Sequence, residues 1–427
     1  MIQRVRQRLK SDFIRNVATL VTGTTAAQAV SILTAPILYR IYDREAYGTL
    51  GQYLAIVGVV GVFSTMQYLQ VILLEKDDDN AKKMMWLNRF INIGLTVILT
   101  IVVLLFNMHI ANLLNNPKVA VWLYLLPLSI FFSGQNAIFR VWANRKKKYK
   151  LMTFNAILTS ISVPIVSISV GLINGSVLGL FLGLLTSQII PPIVLLIGLT
   201  RKEDLGLKYF DFDFIKSKAK AYKNFPLYNM PSEFINRFTN QLPVFMLSTY
   251  AGTGVVGVYN LCVRMLGLPV QLIGGAIAEV FKQKASQDFN ETGSFDQIFL
   301  KTLKTLAGTS IIPFIALIIF APDVFEFVFG TEWREAGIFA RILGVLFVFR
   351  FIVSPLSFSF IITNKLREDM LWHIWMLISN LLIFLFGFKY LTDYKLVLIL
   401  FAGNYSLIYM IYIIRSFAFS KIKNNEH

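Results

Sequence analysis

The chain has 427 residues, of which 56% are apolar and only 15% charged, and its formal net charge is +17. A soluble domain carries roughly 25% charged residues, so water is not the main solvent here, and the basic excess has to be explained by its placement rather than by nucleic acid. Apolar runs of about 20 residues, enough to cross a hydrocarbon core, recur along nearly the whole sequence and leave no separate soluble domain.

In chain order, twelve spans are predicted, the first six over residues 14–38, 48–74, 84–106, 119–139, 151–173 and 177–199. Six more follow a polar gap, over 222–250, 254–281, 305–321, 335–362, 371–387 and 396–414. Cytoplasmic segments of membrane proteins collect Lys and Arg. With the N-terminus inside, the inner segments hold about five times as many as the outer loops, so both termini are expected in the cytoplasm. Arg4, Arg6, Arg8, Lys10 and Arg15 resemble a signal-peptide n-region, but the apolar stretch behind them exceeds an h-region, which predicts an uncleaved first helix. Cys262 is the single cysteine, so no intrachain disulfide framework exists.

The longest inner loop, 201–221, mixes Lys202, Lys216, Lys218 and Lys220 with Leu205, Tyr209, Phe210, Phe212 and Phe214. Basic and aromatic residues together suit a membrane interface, and an ordinary solvated linker is the equal alternative. Either way the chain divides into an N-terminal six-helix bundle (1–200), a cytoplasmic linker (201–221) and a C-terminal six-helix bundle (222–427). The halves also align. Pro36, Tyr42, Gly48, Gly51 and Tyr53 find counterparts in Pro243, Tyr250, Gly254, Gly257 and Tyr259, and Asn144 with Arg145 matches Asn364 with Lys365. Six spans per half make this a parallel repeat, with the cargo site expected near midplane where the repeats meet.

Span seven carries the clearest chemistry. Asn229, Ser232, Glu233, Asn236, Arg237 and Asn240 recur at intervals of three and four, one helical face, opposite Leu227, Phe234, Phe238, Leu242 and Phe245. Polar groups left unsatisfied in hydrocarbon cost several kcal/mol each, so this stripe must line a bundle interior or a wet cavity. Span eight repeats the pattern more mildly with Asn260, Arg264, Gly267, Gln271 and Gly275. Span ten adds Arg341 and Arg350, nine residues and hence about half a turn apart in direction, and Arg350 lies deeper. Each intramembrane arginine costs about 2.5–3.5 kcal/mol on insertion scales. The structural alternatives are that Arg237 pairs with Glu233 at the favourable i,i+4 spacing, and that Arg341 and Arg264 bond carbonyls or snorkel.

Deep cations thus outnumber deep carboxylates, which are limited to Glu233, with Glu279 near a cytoplasmic end. The expected cargo is anionic: guanidinium forks match phosphate oxygens, and the amides and hydroxyls of the stripe suit sugars. Pro36, Pro164, Pro226, Pro231, Pro243, Pro269 and Pro355 lie within spans, where bends serve rocking transporters, although Pro is common in membrane helices anyway. No cofactor is expected. His109, His373 and His427 lack ligand spacing for a metal, no phosphate loop or dinucleotide fingerprint occurs, and the short outer loops leave little material for an enzyme.

The stretch RNVATLVTGTTAAQAVSILTAPILYRIYDREAYGTLGQY, the basic ANRKKKYK loop after span four and the six-plus-six plan resemble the Wzx-like polysaccharide-unit (O-unit) flippases of the multidrug, oligosaccharidyl-lipid and polysaccharide exporter superfamily. The resemblance implies an all-α integral membrane fold, MATE-like and V-shaped. It also implies a cargo of undecaprenyl pyrophosphate bearing a sugar repeat unit, moved from the cytoplasmic to the outer leaflet of a bacterial cytoplasmic membrane. The family's cationic cavity is similar to what Arg237, Arg264 and Arg350 would make. Expected partners are the lipid-linked oligosaccharide and the phospholipid bilayer, with a polysaccharide polymerase and a chain-length regulator as protein partners to test. Two rival functions stay open: a drug or cation exporter of the same superfamily, which would be expected to carry acidic residues in its early spans, where this chain has none, and a membrane glycosyltransferase or polymerase.

Overall fold

The computed structural model describes residues 2–201 and 203–421, without the side chains of residues 2–21, Ile312 and Leu366. Arg4, Arg6, Arg8, Lys10, Arg15 and Lys202, singled out above, therefore lie outside the described side chains. Among the described residues the chain is helical without strands, and it forms two compact units, Met1–Arg237 and Phe238–His427.

The N-terminal unit runs through α1 (Ile2–Ile41), α2 (Arg44–Val60), α3 (Val71–Leu74), α4 (Asp78–Leu113), α5 (Val119–Leu123), α6 (Leu126–Arg145), α7 (Tyr149–Asn174), α8 (Leu178–Thr200) and the short α9 (Phe212–Ala221). Aspartates start several of these helices because a carboxylate can accept the first orphan amides. Asp43 takes Ala46 N–H before α2, Asp77 takes Asn80 N–H before α4, and Asp211 takes Phe214 N–H before α9. Close approach decides how α8 packs. The Tyr42 hydroxyl donates to Ser167 O at 2.6 Å, and a Cβ on Gly179 would stand 1.9 Å from that hydroxyl, one on Gly183 1.9 Å from Ser167 Oγ.

The second unit begins within α10 (Met230–Ala251), which crosses the division, and continues through α11 (Thr253–Pro269), α12 (Gly275–Thr292), α13 (Asp296–Phe329), α14 (Arg334–Leu356), α15 (Phe358–Ile362), α16 (Leu366–Tyr390) and α17 (Tyr394–Ser420). Its buried helix is α14, which packs on α11, α13 and α17. Two π-helical turns, Phe225–Asn229 and Val270–Gly274, contain or follow prolines of the predicted set, Pro226 and Pro269. Proline removes an amide from the ladder, and π turns mark such places inside helices.

Nine helices among the described residues are long and apolar enough to cross a membrane. The other three predicted spans are helical too: α1, α5 with α6, and α10, whose apolar average is diluted by its own polar stripe. Phe90, Val97, Ile98, Ile101, Leu104 and Leu105 leave a long apolar face of α4 exposed, the signature of contact with lipid. The protein is a multi-pass membrane protein of all-α fold.

The linker is fastened to the N-terminal unit. Lys83 pairs with Asp211 at 2.8 Å, Lys218 with buried Glu75 at 2.6 Å, Trp86 Nε1 donates to Gly206 O and the Tyr68 hydroxyl to Ala219 O. Ile215 and Leu205 are buried in the same apolar cluster as Trp142, Ile138 and Leu199. Lys83 and the Phe214 amide hold the Asp211 carboxyl below its ordinary pKa, and Lys208 with the Gly206 amide does the same for Asp204.

Candidate substrate-binding site

The two arginines of α14 are used differently. Arg341 turns toward α13, its Nε donating to Ile318 O at 3.0 Å and its Nη2 to Ile319 O at 2.7 Å. The cause lies in α13, where Pro322 has no N–H to give the carbonyl four residues back. Gly337 brings α14 against that proline, since a Cβ there would stand 2.3 Å from Pro322 Cα.

Arg350, half a helical turn away in direction, faces the interior of the C-terminal unit. Its Nη2 donates to Asn240 Oδ1 at 3.0 Å, and its guanidinium lies 5.6 Å from the Phe347 ring centre. Arg350 and Asn240 line a small pocket together with Thr239, Pro243, Tyr259, Phe401 and Tyr405. Tyr405 packs edge-on against Phe401 and Tyr409, with ring centres 5.5 and 4.9 Å apart. No carboxylate lines this pocket among the described residues. Chemically it offers one guanidinium, one amide and aromatic walls, a set that can hold an anionic group against an apolar or sugar surface.

The remaining predicted residues are dispersed. Glu233 and Arg237 form an ion pair at 2.6 Å, with the arginine 56% exposed, while Asn229 is exposed and Asn236 half-buried on the same helical stretch. Asn260 keeps a buried Nδ2 with no partner among the described residues. Arg264 and Gln271 are exposed on α11 and the π turn after it, and neither lines the Arg350 pocket. Sequence reasoning singled out Arg350 and Asn240 but passed over Tyr405, which sits in an apolar run with no polar periodicity. Tyr259 had a signal, its match to Tyr53 in the repeat.

Solved structures and curated proteins resemble this chain over most of its length. A succinoglycan biosynthesis transport protein, ExoT of Rhizobium meliloti (strain 1021), is 23% identical over 350 residues, covering 80% of this chain and 67% of that protein. The lipopolysaccharide biosynthesis protein WzxC of Escherichia coli (strain K12) is 21% identical over 352 residues, 78% of this chain and 67% of that one. The fold matches the lipid II flippase MurJ in an inward closed conformation, with a TM-score of 0.71 at 17% identity, over 93% of this chain and 89% of that one. The polysaccharide biosynthesis protein family matches residues 37–337, about seven-tenths of the sequence, and the chain belongs to that family.

Proposed function

We propose that the protein is a flippase that carries an undecaprenyl-pyrophosphate-linked oligosaccharide repeat unit from the cytoplasmic to the outer leaflet of a bacterial cytoplasmic membrane by alternating access. It is a carrier and not an enzyme, in line with relatives named for transport and flipping. The observation that carries the cargo's class is the Arg350 pocket, a guanidinium among aromatic walls with no carboxylate among the described residues that line it. A cation exporter needs the opposite sign there. Glu233, Arg237, Asn229, Asn236, Arg264, Asn260 and Gln271 extend the proposed binding surface along the polar faces of α10 and α11, and Arg341 stays in the set only if it can leave the α13 carbonyls. Both termini lie in the cytoplasm, and a polymerase and chain-length regulator receive the product.

The test of cargo is a reconstituted flipping assay with undecaprenyl-pyrophosphate oligosaccharide, comparing wild type with Arg350→Gln. Flipping by wild type and its loss in the variant are expected, and a wild-type protein that leaves this lipid unmoved would remove the proposal. Orientation is tested with single cysteines in a Cys262→Ala background. One at exposed Lys216 should be shielded from an impermeant thiol reagent in intact cells and one at exposed Lys118 should react. The reverse labelling would invert the direction of transport.

A further inference from the structure

One cation of the N-terminal unit has no place in the site above. Arg89, on α4, lies 4.3 Å over the Trp86 ring and 5.7 Å from the Phe139 ring centre. Its Nε is buried without a partner, and no ion pair or hydrogen bond to a described residue engages its terminal nitrogens. Ring stacking therefore holds this guanidinium without an ion pair to a described residue.

Three carboxylates, at the start of α4 and in the linker, are committed elsewhere. Asp78 pairs with Arg145 and Lys146, Glu75 with Lys218, and Asp211 with Lys83. The polar atoms left over on the same stretches of α4 and α6 are neutral amide oxygens, those of Asn88, Gln135 and Asn136. Among the described residues no carboxylate pairs with Arg89, which leaves its guanidinium open to an anion from outside the chain. Arg89 is three residues, about 4.5 Å of helix, deeper than Trp86, whose indole donates to the linker at Gly206. The adjacent Phe90 is 54% exposed and packs, like Trp86, on Phe210. That combination marks the level where lipid headgroups meet acyl chains.

We infer that Arg89 is a binding site for a lipid phosphate, reached from the bilayer at the cytoplasmic end of α4, with the Trp86 and Phe139 rings holding the guanidinium so that its terminal nitrogens face the phosphate oxygens. The phosphate belongs either to an anionic phospholipid or to a pyrophosphate-linked carrier lipid. The site rests on the N-terminal unit alone, so it stands or falls independently of the Arg350 pocket.

Native mass spectrometry of the full-length detergent-purified protein, titrated with phosphatidylglycerol, undecaprenyl pyrophosphate or the uncharged diacylglycerol, tests it. Arg89→Gln should bind both phosphate lipids about tenfold or more weakly with diacylglycerol unchanged, and Arg89→Lys should fall between, keeping charge without the fork. Tighter wild-type binding of undecaprenyl pyrophosphate would identify the carrier lipid as the occupant, and equal binding the bilayer phospholipid. Should Arg89→Gln fail to fold, Arg89→Lys against wild type still decides. Phosphate-lipid binding that is the same in wild type and in every folded variant would overturn the inference, as would an equal loss of diacylglycerol.

Discussion

The polar centres of the two units, built around Tyr53 and Tyr259, differ in what their polar residues touch. In the N-terminal unit Tyr53 of α2 shares a hydrogen bond with Ser129 of α6, which donates to Gln188 of α8 at 2.7 Å. A second chain runs from Asn116 to Gln52 and Thr49, and a third from Gln135 through Asn92 to Ile130 O. In the C-terminal unit the corresponding helices α11, α14 and α17 bring Tyr259, Arg350 and Tyr405 around a pocket. In the N-terminal unit the three chains tie neighbouring helices to one another, the usual glue between membrane helices. In the C-terminal unit a cation bonded to one amide stands at the edge of a pocket instead.

The sharpest break of that comparison is at Arg350. Arg350→Gln and Arg350→Glu should reduce glycan export about a hundredfold at wild-type membrane abundance, with Arg350→Lys recovering part of it. If the Gln variant exports normally at normal abundance, the C-terminal pocket is packing like its counterpart. Arg341 sharpens the contrast within a single helix. Arg341→Gln leaves Ile318 O without a donor beside Pro322 and should cost about 1–3 kcal/mol of stability, seen as lower abundance and thermal stability with unchanged export per molecule. A fall in export per molecule would move Arg341 into the carrier's machinery.

Ser129→Ala, the counterpart experiment in the N-terminal unit, should destabilise by about 1 kcal/mol and leave export per molecule alone. A selective loss of export would mean that the satisfied centre also handles cargo. Smaller still is the exposed pair on α10. Removing both partners in Glu233→Gln with Arg237→Gln should change stability by under about 1 kcal/mol, because the arginine is largely open; a marked loss of abundance would show a pair more deeply committed than its exposure indicates.

The smallest effect concerns the linker clasp. The Asp211 carboxyl is held low by Lys83 and the Phe214 amide, so its contribution is complete above the ordinary carboxylate value of about 3.9 and is lost only as pH falls through the lower folded value. Hydrogen exchange around Gly206–Ala221 should therefore stay flat from pH 7 down to about 4.5 after correction for intrinsic rates, and loosening above that range would remove Asp211 from the clasp.

Hydropathy alone determined the membrane class and the helical spans, because a bilayer forces long apolar runs and self-satisfied backbones. The polar faces of α10 and α14 were legible for the same reason: Asn240 and Arg350 are conspicuous in an apolar background. What each cation touches was not. Arg341 and Arg350 look alike in sequence, yet one serves the carbonyl freed by Pro322 and the other faces a pocket, a difference set by which neighbouring helix each direction of α14 meets. Tyr405 and Arg89 gave no periodic signal, since aromatic residues blend into apolar spans and a cation near a span end counts as a flank. Tertiary structure decided what they touch, because pairing depends on which groups converge from helices distant in sequence, and periodicity within one helix carries no information about its neighbours.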